Sequence, residues 1–314
     1  MLLHEPFFFF QFKFLRDRQK LRQETWLPYL FTVPILVWMA FLIYYPILNG
    51  FYFSFTDQTS IGGFAKWVGL DTYRIVFSHP DYLSSLRVSV LWTVGCILVG
   101  MPVGLIGALV LNEKVRGTNL ARSLVLLPWM IPTVVTATIF HFMLSAELGV
   151  VNYYLLMLGI VDKPLVLLGS PQNALPTTIL VATWRFAPFG MVLNGAAMAT
   201  IPPELYEAAS IDGASAFQKF RHITMPSLYP VLGALGLLGT IWQFNSFDFP
   251  YLLTMGGPGL TTTTMPVMMY RLVIDYIFAS RAYALSMIMF VVLLLFGVVY
   301  LRRVKAAGGL GGGE

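Results

Sequence analysis

Residues 200–227 read TIPPELYEAASIDGASAFQKFRHITMPS, a mostly polar loop set between long apolar runs. Two adjacent prolines open it, and proline suits a first helical turn, where its missing N–H needs no partner. Gly213 predicts a helix end, because glycine readily adopts the left-handed conformation that terminates helices. The spacing from Ser215 to Gln218 is that of a capping box, which starts another helix. We therefore predict two short helices around a glycine elbow, with Pro226 closing the loop at a membrane.

The elbow of this loop is suited to contact with another protein. Small side chains allow a second backbone to approach closely, and Glu207 and Asp212 are placed to meet a basic residue. The small residues are Ala208, Ala209, Ala214 and Ala216. The loop therefore has the shape of a docking element, although helix capping on a solvated loop would also place acidic residues here.

On both sides of this loop the chain is dominated by apolar runs. It is 57% hydrophobic and 11% charged, with a mean hydropathy of +0.73, whereas soluble proteins are about a quarter charged. A spanning helix needs about 20 mostly apolar residues. Six segments meet that length, and they are 27–50, 86–111, 122–144, 175–199, 228–252 and 281–302. We therefore predict an all-α polytopic membrane protein with six transmembrane helices.

The lysines and arginines indicate how these helices are oriented. With the N-terminus inside, 13 of the 20 lie in inner segments and 6 in outer segments, while Arg185 falls within a predicted helix. Short loops rich in Lys and Arg remain in the cytoplasm. We therefore expect cytoplasmic N- and C-termini in a multi-pass protein of the inner membrane. The basic pI of about 9.3 reflects this orientation and does not indicate a nucleic-acid partner.

The predicted transmembrane domain covers residues 26–303 and includes the loop 201–226. Residues 1–25 are interpreted as a cytoplasmic or membrane-surface segment, because their apolar stretch precedes the basic cluster, the reverse of a secretory signal. The Gly-rich residues 304–314 predict a flexible tail. Residues 149–168 predict a short amphipathic helix on the outer face.

Eight residues of the loop form a motif with fixed spacing. They are Glu207, Ala208, Ala209, Asp212, Gly213, Ala214, Ile223 and Pro226. This motif resembles the EAA loop of binding-protein-dependent ABC importer permeases, and its longer context is similar to the carbohydrate-uptake, maltose-type branch. Residues 66–73 are similar to the first outer loop of that family. Residues 254–258 resemble the TGGGP segment of the first of its two paired permeases, with Met255 in place of a glycine.

The resemblance, which covers roughly residues 27–302, implies the type I ABC importer permease fold and a set of partners. In that family a second homologous permease completes the central pathway, and each EAA loop inserts into one of two cytoplasmic ATP-binding subunits. An extracytoplasmic solute-binding protein delivers solute to the outer face. ATP and Mg²⁺ belong to the ATP-binding subunits, so this chain is expected to bind no cofactor and to be no enzyme. The sequence agrees, since it has no GxxxxGK[ST] phosphate-binding loop.

Polar and aromatic residues interrupt the predicted fifth span, and an arginine interrupts the fourth. The candidate pathway residues are Trp242, Gln243, Asn245, Phe247, Asp248 and Arg185. An ionisable residue at membrane depth normally faces a bundle interior or a cavity, and aromatic faces with amides suit a sugar. Polar helix packing, an aromatic belt at the interface, and an Arg185–Asp248 pair are the alternatives. No metal site is predicted.

These features predict a permease subunit of an ATP-driven importer for sugars or sugar-like solutes. The main alternative is an ion-coupled secondary transporter, which usually shows internal repeats and buried carboxylates. A membrane enzyme acting on lipid-linked sugar is a second alternative, and it would need catalytic carboxylates or histidines. Monosaccharides, oligosaccharides, polyols and glycerol phosphates all remain open as the solute.

Labelling from one side of the membrane tests the predicted orientation. A cysteine introduced at Gly117 or Ser215 should react with a membrane-impermeant thiol reagent only from the cytoplasmic side. A cysteine introduced at Asp71 should react only from the outside. Reaction at Ser215 from the outside would overturn both the orientation and the docking interpretation.

Overall fold

The computed structural model describes residues 27–113 and 117–306. By its internal contacts the chain divides into two compact units, Met1–Phe53 and Ser54–Glu314. The predicted N-terminal segment and most of the predicted Gly-rich tail lie outside the described residues. The last helix continues past residue 303, the predicted end of the transmembrane domain.

The first unit consists, in its described part, of one helical run. Helix α1 (Leu27–Met39) continues through a π-helical turn, Ala40–Tyr44, into α2 (Tyr45–Phe53). The turn lies just before Pro46, which has no N–H to donate to the carbonyl four residues earlier. A π-helical turn accommodates this missing hydrogen bond, because its bonds reach one residue further along the chain. The stretch Phe31–Phe53 is long and apolar enough to cross a membrane, as predicted for the first span.

In the described part of the second unit, helices α3 to α15 follow one another. They are α3 (Asp71–Ser78), α4 (Pro80–Asn112), α5 (Thr118–Val125), α6 (Leu127–Met130), α7 (Thr133–Met143), α8 (Val150–Met157), α9 (Ala174–Met198), α10 (Pro203–Ile211), α11 (Ala216–Lys219), α12 (Met225–Phe244), α13 (Asp248–Thr254), α14 (Met265–Ile274) and α15 (Ala279–Ala306). A second π-helical turn, Phe220–Thr224, joins α11 to α12. Residues Ala216–Phe244 therefore form one continuous helix.

Helices α4 and α9 pack together in the core of this second unit. Gly104 of α4 lies against Gly190 of α9, and a Cβ added to Gly104 would lie 3.2 Å from the Gly190 Cα. Small residues let helix backbones approach this closely inside a membrane, where apolar lipid provides no hydrophobic force between helices. The fully buried Trp92 of α4 joins residues of α7, α9 and α13 in one apolar cluster, which includes Ala137 and Phe249.

Four helices are long and apolar enough to cross a membrane within the described ranges. They are Phe31–Phe53, Pro80–Asn112, Ala216–Phe244 and Ala279–Val304. A bent pair, Leu120–Met130 with Thr133–Met143, adds a fifth span if the two helices count as one. The remaining predicted span, 175–199, corresponds to the 25-residue helix α9, which is not among these. The structure thus agrees with the prediction of a helical membrane protein, and four or five of its described helices or helix pairs could each span a membrane.

The prediction of a single helix over the third span, 122–144, is wrong. The two parts of this span are bent by 91° at the break between Met130 and Thr133. Ile131 leaves the helical conformation with a ψ of 133°, as residues before a proline tend to do. Pro132 also lacks the N–H that would continue the helix.

The predicted fifth span, 228–252, is wrong at both ends. Its helix begins already at Ala216, within the predicted loop, and it ends at Phe244. Asn245 ends the helix, and α13 begins at Asp248 as a separate short helix. The polar residues that seemed to interrupt a span therefore mark where the span stops.

The predicted outer helix over 149–168 is shorter and not amphipathic in the expected sense. Helix α8 ends at Met157, after which the chain folds back. The Asn152 side chain is buried and exchanges two hydrogen bonds with the backbone of Leu165, at 2.8 and 3.0 Å. Tyr153 is 63% exposed. The buried position is polar and the neighbouring exposed position is aromatic, the reverse of a helix resting on a protein core in water.

Met255 occupies a left-handed conformation after α13, with φ 51° and ψ 30°. This is the position where the sequence resemblance expects glycine, and a side chain there costs about 1 kcal/mol. Two hydrogen bonds hold the turn: Met255 N–H donates to Tyr251 O at 2.7 Å, and Arg271 Nη2 donates to Met255 O at 2.6 Å. The Thr263 hydroxyl also donates to Gly256 O at 2.7 Å. The surrounding bonds thus maintain a turn that glycine would adopt without strain.

Candidate functional site

The loop between α9 and α12 forms the predicted glycine elbow. Gly213 has a φ of +80°, and a Cβ there would meet nothing within 4 Å, so the constraint is conformational and not steric. Ala214 N–H donates to Ala209 O at 2.8 Å, and Gly213 N–H donates to Ser210 O at 3.1 Å. This pair of bonds is the Schellman motif, in which a left-handed residue satisfies the last carbonyls of a helix. The prediction of a helix end at Gly213 is confirmed.

Side-chain bonds hold the two arms of the elbow together. The predicted capping box is confirmed: Ser215 Oγ accepts from Gln218 N–H, and Gln218 Oε1 accepts from Ser215 N–H. Across the elbow, Lys219 Nζ donates to Ser210 Oγ at 2.6 Å. At the base, a hydrogen bond of 2.9 Å joins the hydroxyl groups of Tyr206 and Thr224. The sequence interpretation missed these two cross-links, because neither has a local spacing rule.

Pro226 does not close the loop, so that prediction is wrong. The π-helical turn Phe220–Thr224 lies directly before Met225-Pro226, just as the turn in the first unit precedes its proline. A π-helical turn accommodates the hydrogen bond that a residue without an N–H cannot make. The second arm of the elbow is therefore the start of the long helix Ala216–Phe244, not a separate short helix.

The motif residues differ in exposure. Glu207, Ala208, Asp212, Gly213 and Pro226 are exposed, and Ala209, Ala214 and Ile223 are half-buried. In the part of the chain that the structure describes, two contacts within 4.0 Å join a basic and an acidic side chain, Arg74–Asp71 and His79–Asp81, and both lie outside the loop. The carboxylates of Glu207 and Asp212 are thus free to face a basic partner.

A second candidate site is a cleft of about 70 Å³ between α4, α9 and α12. Gln243 and Trp242 line it, as do Thr183 and Asn194 of α9. Thr183 Oγ1 and Asn194 Oδ1 are buried without a hydrogen-bond partner in the described structure. Buried polar atoms of this kind normally have a partner. Polar side chains therefore line the cleft, and two of their oxygens have no partner in the described structure.

A group of three aromatic rings borders this cleft. Phe189 of α9 lies between Trp129 of α6 and Trp242 of α12, with ring centroids 5.7 and 5.5 Å apart. The sequence interpretation included Trp242 but missed the other two rings, which come from different helices. Aromatic faces beside polar groups are suited to the C–H surfaces and hydroxyls of a sugar.

The other pathway residues predicted for the fifth span lie beyond the end of α12. Asn245 is exposed, and its amide bonds to a carbonyl of its own helix at 2.7 Å. Phe247 stacks on a tyrosine of α13 with ring centroids 4.8 Å apart, and Asp248 is the exposed first residue of α13. These three residues do not line the cleft. The structure therefore brings only Trp242 and Gln243 of this group to it.

Arg185 stabilises the broken third span. Its Nε and Nη2 donate to Ile131 O at 3.2 and 3.0 Å, so a single guanidinium binds the carbonyl at the bend. The alternative Arg185–Asp248 pair is not among the ion pairs within 4.0 Å in the described residues. His141 of α7 similarly forms a hydrogen bond of 3.0 Å between its Nδ1 and Leu253 O of α13.

The helical membrane fold, with a docking-shaped loop and an interhelical cleft, is that of a multi-pass transport permease. Residues 100–305 match the family described as binding-protein-dependent transport system inner membrane component. The chain belongs to this family, since the match covers more than half of its length. It is a multi-pass protein of the inner membrane.

Several similar proteins are transport system permeases. The trehalose/maltose transport system permease protein of Thermococcus litoralis is 35% identical over 282 residues, covering 89% of this chain and 94% of that protein. A probable ABC transporter permease protein of Brucella suis biovar 1 is 32% identical over 284 residues, covering 89% and 97%. The sulfoquinovosyl glycerol permease protein of Agrobacterium fabrum is 30% identical over 277 residues, covering 88% and 89%.

Solved structures show the same fold. A chain of a bacterial ABC transporter involved in import of the acidic polysaccharide alginate has a TM-score of 0.81 at 24% identity, covering 93% of this chain and 99% of that one. A second structure of an alginate transporter, in complex with an alginate pentasaccharide-bound periplasmic protein, also has a TM-score of 0.81, at 23% identity over 92% and 97%. The chain is thus a permease of the ABC importer type, and the ion-coupled alternative finds no support.

Substitution of Arg185 tests its role at the bend. Arg185→Leu leaves the Ile131 carbonyl without donors inside the protein, which costs about 1–3 kcal/mol. We expect a lower unfolding temperature in detergent and an equal fall in uptake of neutral and anionic solutes. Arg185→Lys, which lacks the planar guanidinium with its two parallel donors, should restore only part of the unfolding temperature and part of the uptake.

Arg74→Leu is the matched control, because the Arg74 side chain is 84% exposed on a predicted outer segment. It should change neither unfolding temperature nor uptake. If Arg185→Leu instead abolishes uptake of anionic solutes alone, with unchanged unfolding temperature, then Arg185 selects solute charge and does not support the bend.

Proposed function

We propose that this chain imports a sugar or sugar-like solute, forms half of the translocation pathway and couples to ATP hydrolysis through the loop 201–226. The observation that carries this proposal is the elbow at Gly213, a hydrogen-bonded turn with exposed acidic residues and open space beside the glycine. The trehalose/maltose and sulfoquinovosyl glycerol permeases among its relatives support a solute of the carbohydrate class.

The remaining parts of the importer follow from this role. A second homologous permease would complete the pathway, two cytoplasmic ATP-binding subunits would hold ATP and Mg²⁺, and an extracytoplasmic solute-binding protein would deliver solute. The alginate transporter bound to its periplasmic protein supports the last of these partners. This chain then contributes no catalytic residue. Its contribution is to transmit the motion of the ATP-binding subunits to the solute.

The proposed topology has six spans with both termini in the cytoplasm. The bent pair α5/α6–α7 is taken as the third span and the less apolar helix α9 as the fourth. Both assignments place the loop that carries Gly213 on the cytoplasmic side, where the excess of Lys and Arg also lies.

The proposed solute site is the cleft at Gln243. This side chain is 8% exposed, and within the described residues its amide makes no hydrogen bond. Together with the unpartnered Thr183 and Asn194 oxygens, the amide offers hydrogen bonds at membrane depth, beside the Trp242 ring. A cleft of about 70 Å³ is too small for a whole sugar, so the second permease and helix movement would provide the rest of the space.

Substitutions inside and outside the cleft test which of the predicted pathway residues contact the solute. Gln243→Leu should lower the uptake rate roughly tenfold, because a missing hydrogen bond to a desolvated solute is worth about 1.4 kcal/mol. Assembly and basal ATP hydrolysis should be unchanged. Asn245→Leu is the control of equal chemistry outside the cleft, and uptake should stay near wild type. The cleft assignment is contradicted if Asn245→Leu impairs uptake and Gln243→Leu does not.

Two substitutions at Gly213 test the docking role. Gly213→Val places a β-branched residue at φ +80°, which such residues strongly resist, whereas Gly213→Asn adds bulk but tolerates the left-handed conformation. We expect the valine variant to lose ATP-binding subunits from the purified complex and to lose most solute uptake. The asparagine variant should retain most of both. If both variants keep wild-type uptake and stimulated ATP hydrolysis, this loop is not the docking element.

A further inference from the structure

Helix α8 (Val150–Met157) presents an apolar face that no described part of this chain covers. Val150, Tyr153, Tyr154 and Met157 occupy positions i, i+3, i+4 and i+7, so they lie on one side of the helix. Their exposed fractions are 42%, 63%, 55% and 70%. Single exposed apolar residues are ordinary on a protein surface, whereas a continuous apolar patch indicates contact with a partner or a membrane.

The opposite side of α8 is attached to the protein through a polar residue. Asn152 Nδ2 donates to Ser145 O at 3.2 Å, and the Asn152 amide also exchanges its two bonds with the backbone of Leu165. Val151 packs against the apolar cluster around Trp92. Rotation of the helix to bury its apolar face would break all three hydrogen bonds. The fold therefore fixes which side of α8 faces outward.

The position of α8 in the chain places this face beside the end of a membrane span. Helix α7, the second half of the bent third span, ends at Met143. Ser145, which accepts the bond from Asn152, follows two residues later. The helix therefore lies where the span leaves the hydrocarbon part of the bilayer. Phe142 in the last turn of α7 is itself 67% exposed.

The composition of the exposed face indicates lipid as its partner. No charged residue occurs between Glu147 and Asp162, so the face offers no ion pair to a protein. Protein interfaces normally surround an apolar centre with polar residues. Adjacent tyrosines, each with a hydroxyl on an apolar ring, are typical of the boundary between lipid headgroups and acyl chains. Glu147, Asp162 and Lys163 are exposed at the two ends of the segment.

We propose that α8 is an interfacial helix, which lies in the plane of the membrane with Tyr153 and Met157 inserted among the lipids. Helices of this kind bury their apolar face about 5–10 Å into the boundary between headgroups and acyl chains. Under the proposed topology the leaflet is the outer one. Because Asn152 binds Ser145, lipid contact at α8 also fixes the depth of α7, which the bend at Ile131 separates from the first half of its span.

Spin labelling of the reconstituted complex tests the contact with lipid. Cys96 is buried and is removed as Cys96→Ala, after which Met157→Cys or Lys163→Cys carries the label. The complex is placed in nanodiscs of phosphatidylethanolamine and phosphatidylglycerol. Collisions are measured with oxygen, which concentrates in lipid, and with a nickel chelate, which stays in water. The ratio of oxygen to nickel collisions at position 157 should exceed that at position 163 several-fold.

Lys163→Cys is the matched control, because Lys163 is exposed on the same predicted outer segment but is outside the apolar face. Equal ratios at the two positions overturn the proposal, since α8 would then lie in water. Shielding of position 157 from both reagents also overturns it, because a protein subunit would then cover the face. The same holds if nickel reaches position 157 freely and is excluded only after a solute-loaded binding protein is added.

Discussion

The interior of a bilayer offers no water, so every backbone N–H and C=O within it needs a partner in the protein. A straight helix meets this requirement by itself, but the bend at Ile131 leaves a carbonyl outside the helical ladder. Arg185 supplies two donors to that single oxygen. Burying an arginine in a membrane costs much free energy. Here the arginine lies where the broken helix needs a hydrogen-bond donor. Trp129 lies two residues before this bend, and its ring contacts Phe189 of the aromatic group at the cleft.

Local rules explain which parts of the fold could be predicted. The elbow at Gly213 and the capping box at Ser215 are decided by residues within a few positions of each other, and both agree with the sequence. The break at Pro132 carried a local signal too, but a proline in a membrane helix is compatible with a continuous helix or a bend. The choice depends on whether a distant donor, here Arg185, reaches the freed carbonyl. The alternation of polar and apolar positions carries no information on such pairings.

The two candidate sites also differ in whether local sequence determines them. The docking loop is contiguous, so its motif could be found in the sequence alone. The cleft draws on three helices, and polarity along one of them could not distinguish Gln243, which faces inward, from Asn245, which lies past the helix end and is exposed. Phe189 was missed because an aromatic residue in an apolar helix has no distinguishing neighbours. Its significance arises only where it meets Trp129 and Trp242.

Because Ala216–Phe244 is one continuous helix, a movement at its proposed cytoplasmic end is transmitted to its other end. A helix of 29 residues is about 44 Å long, at about 1.5 Å per residue. Its base carries the second arm of the elbow, and Trp242 and Gln243 stand near its tip. A tilt of about 5° at the base of such a rod moves its tip by about 4 Å. Under the proposed docking, a small rotation of the ATP-binding subunits would therefore be amplified into a displacement on the scale of a sugar ring, without any intermediate joint.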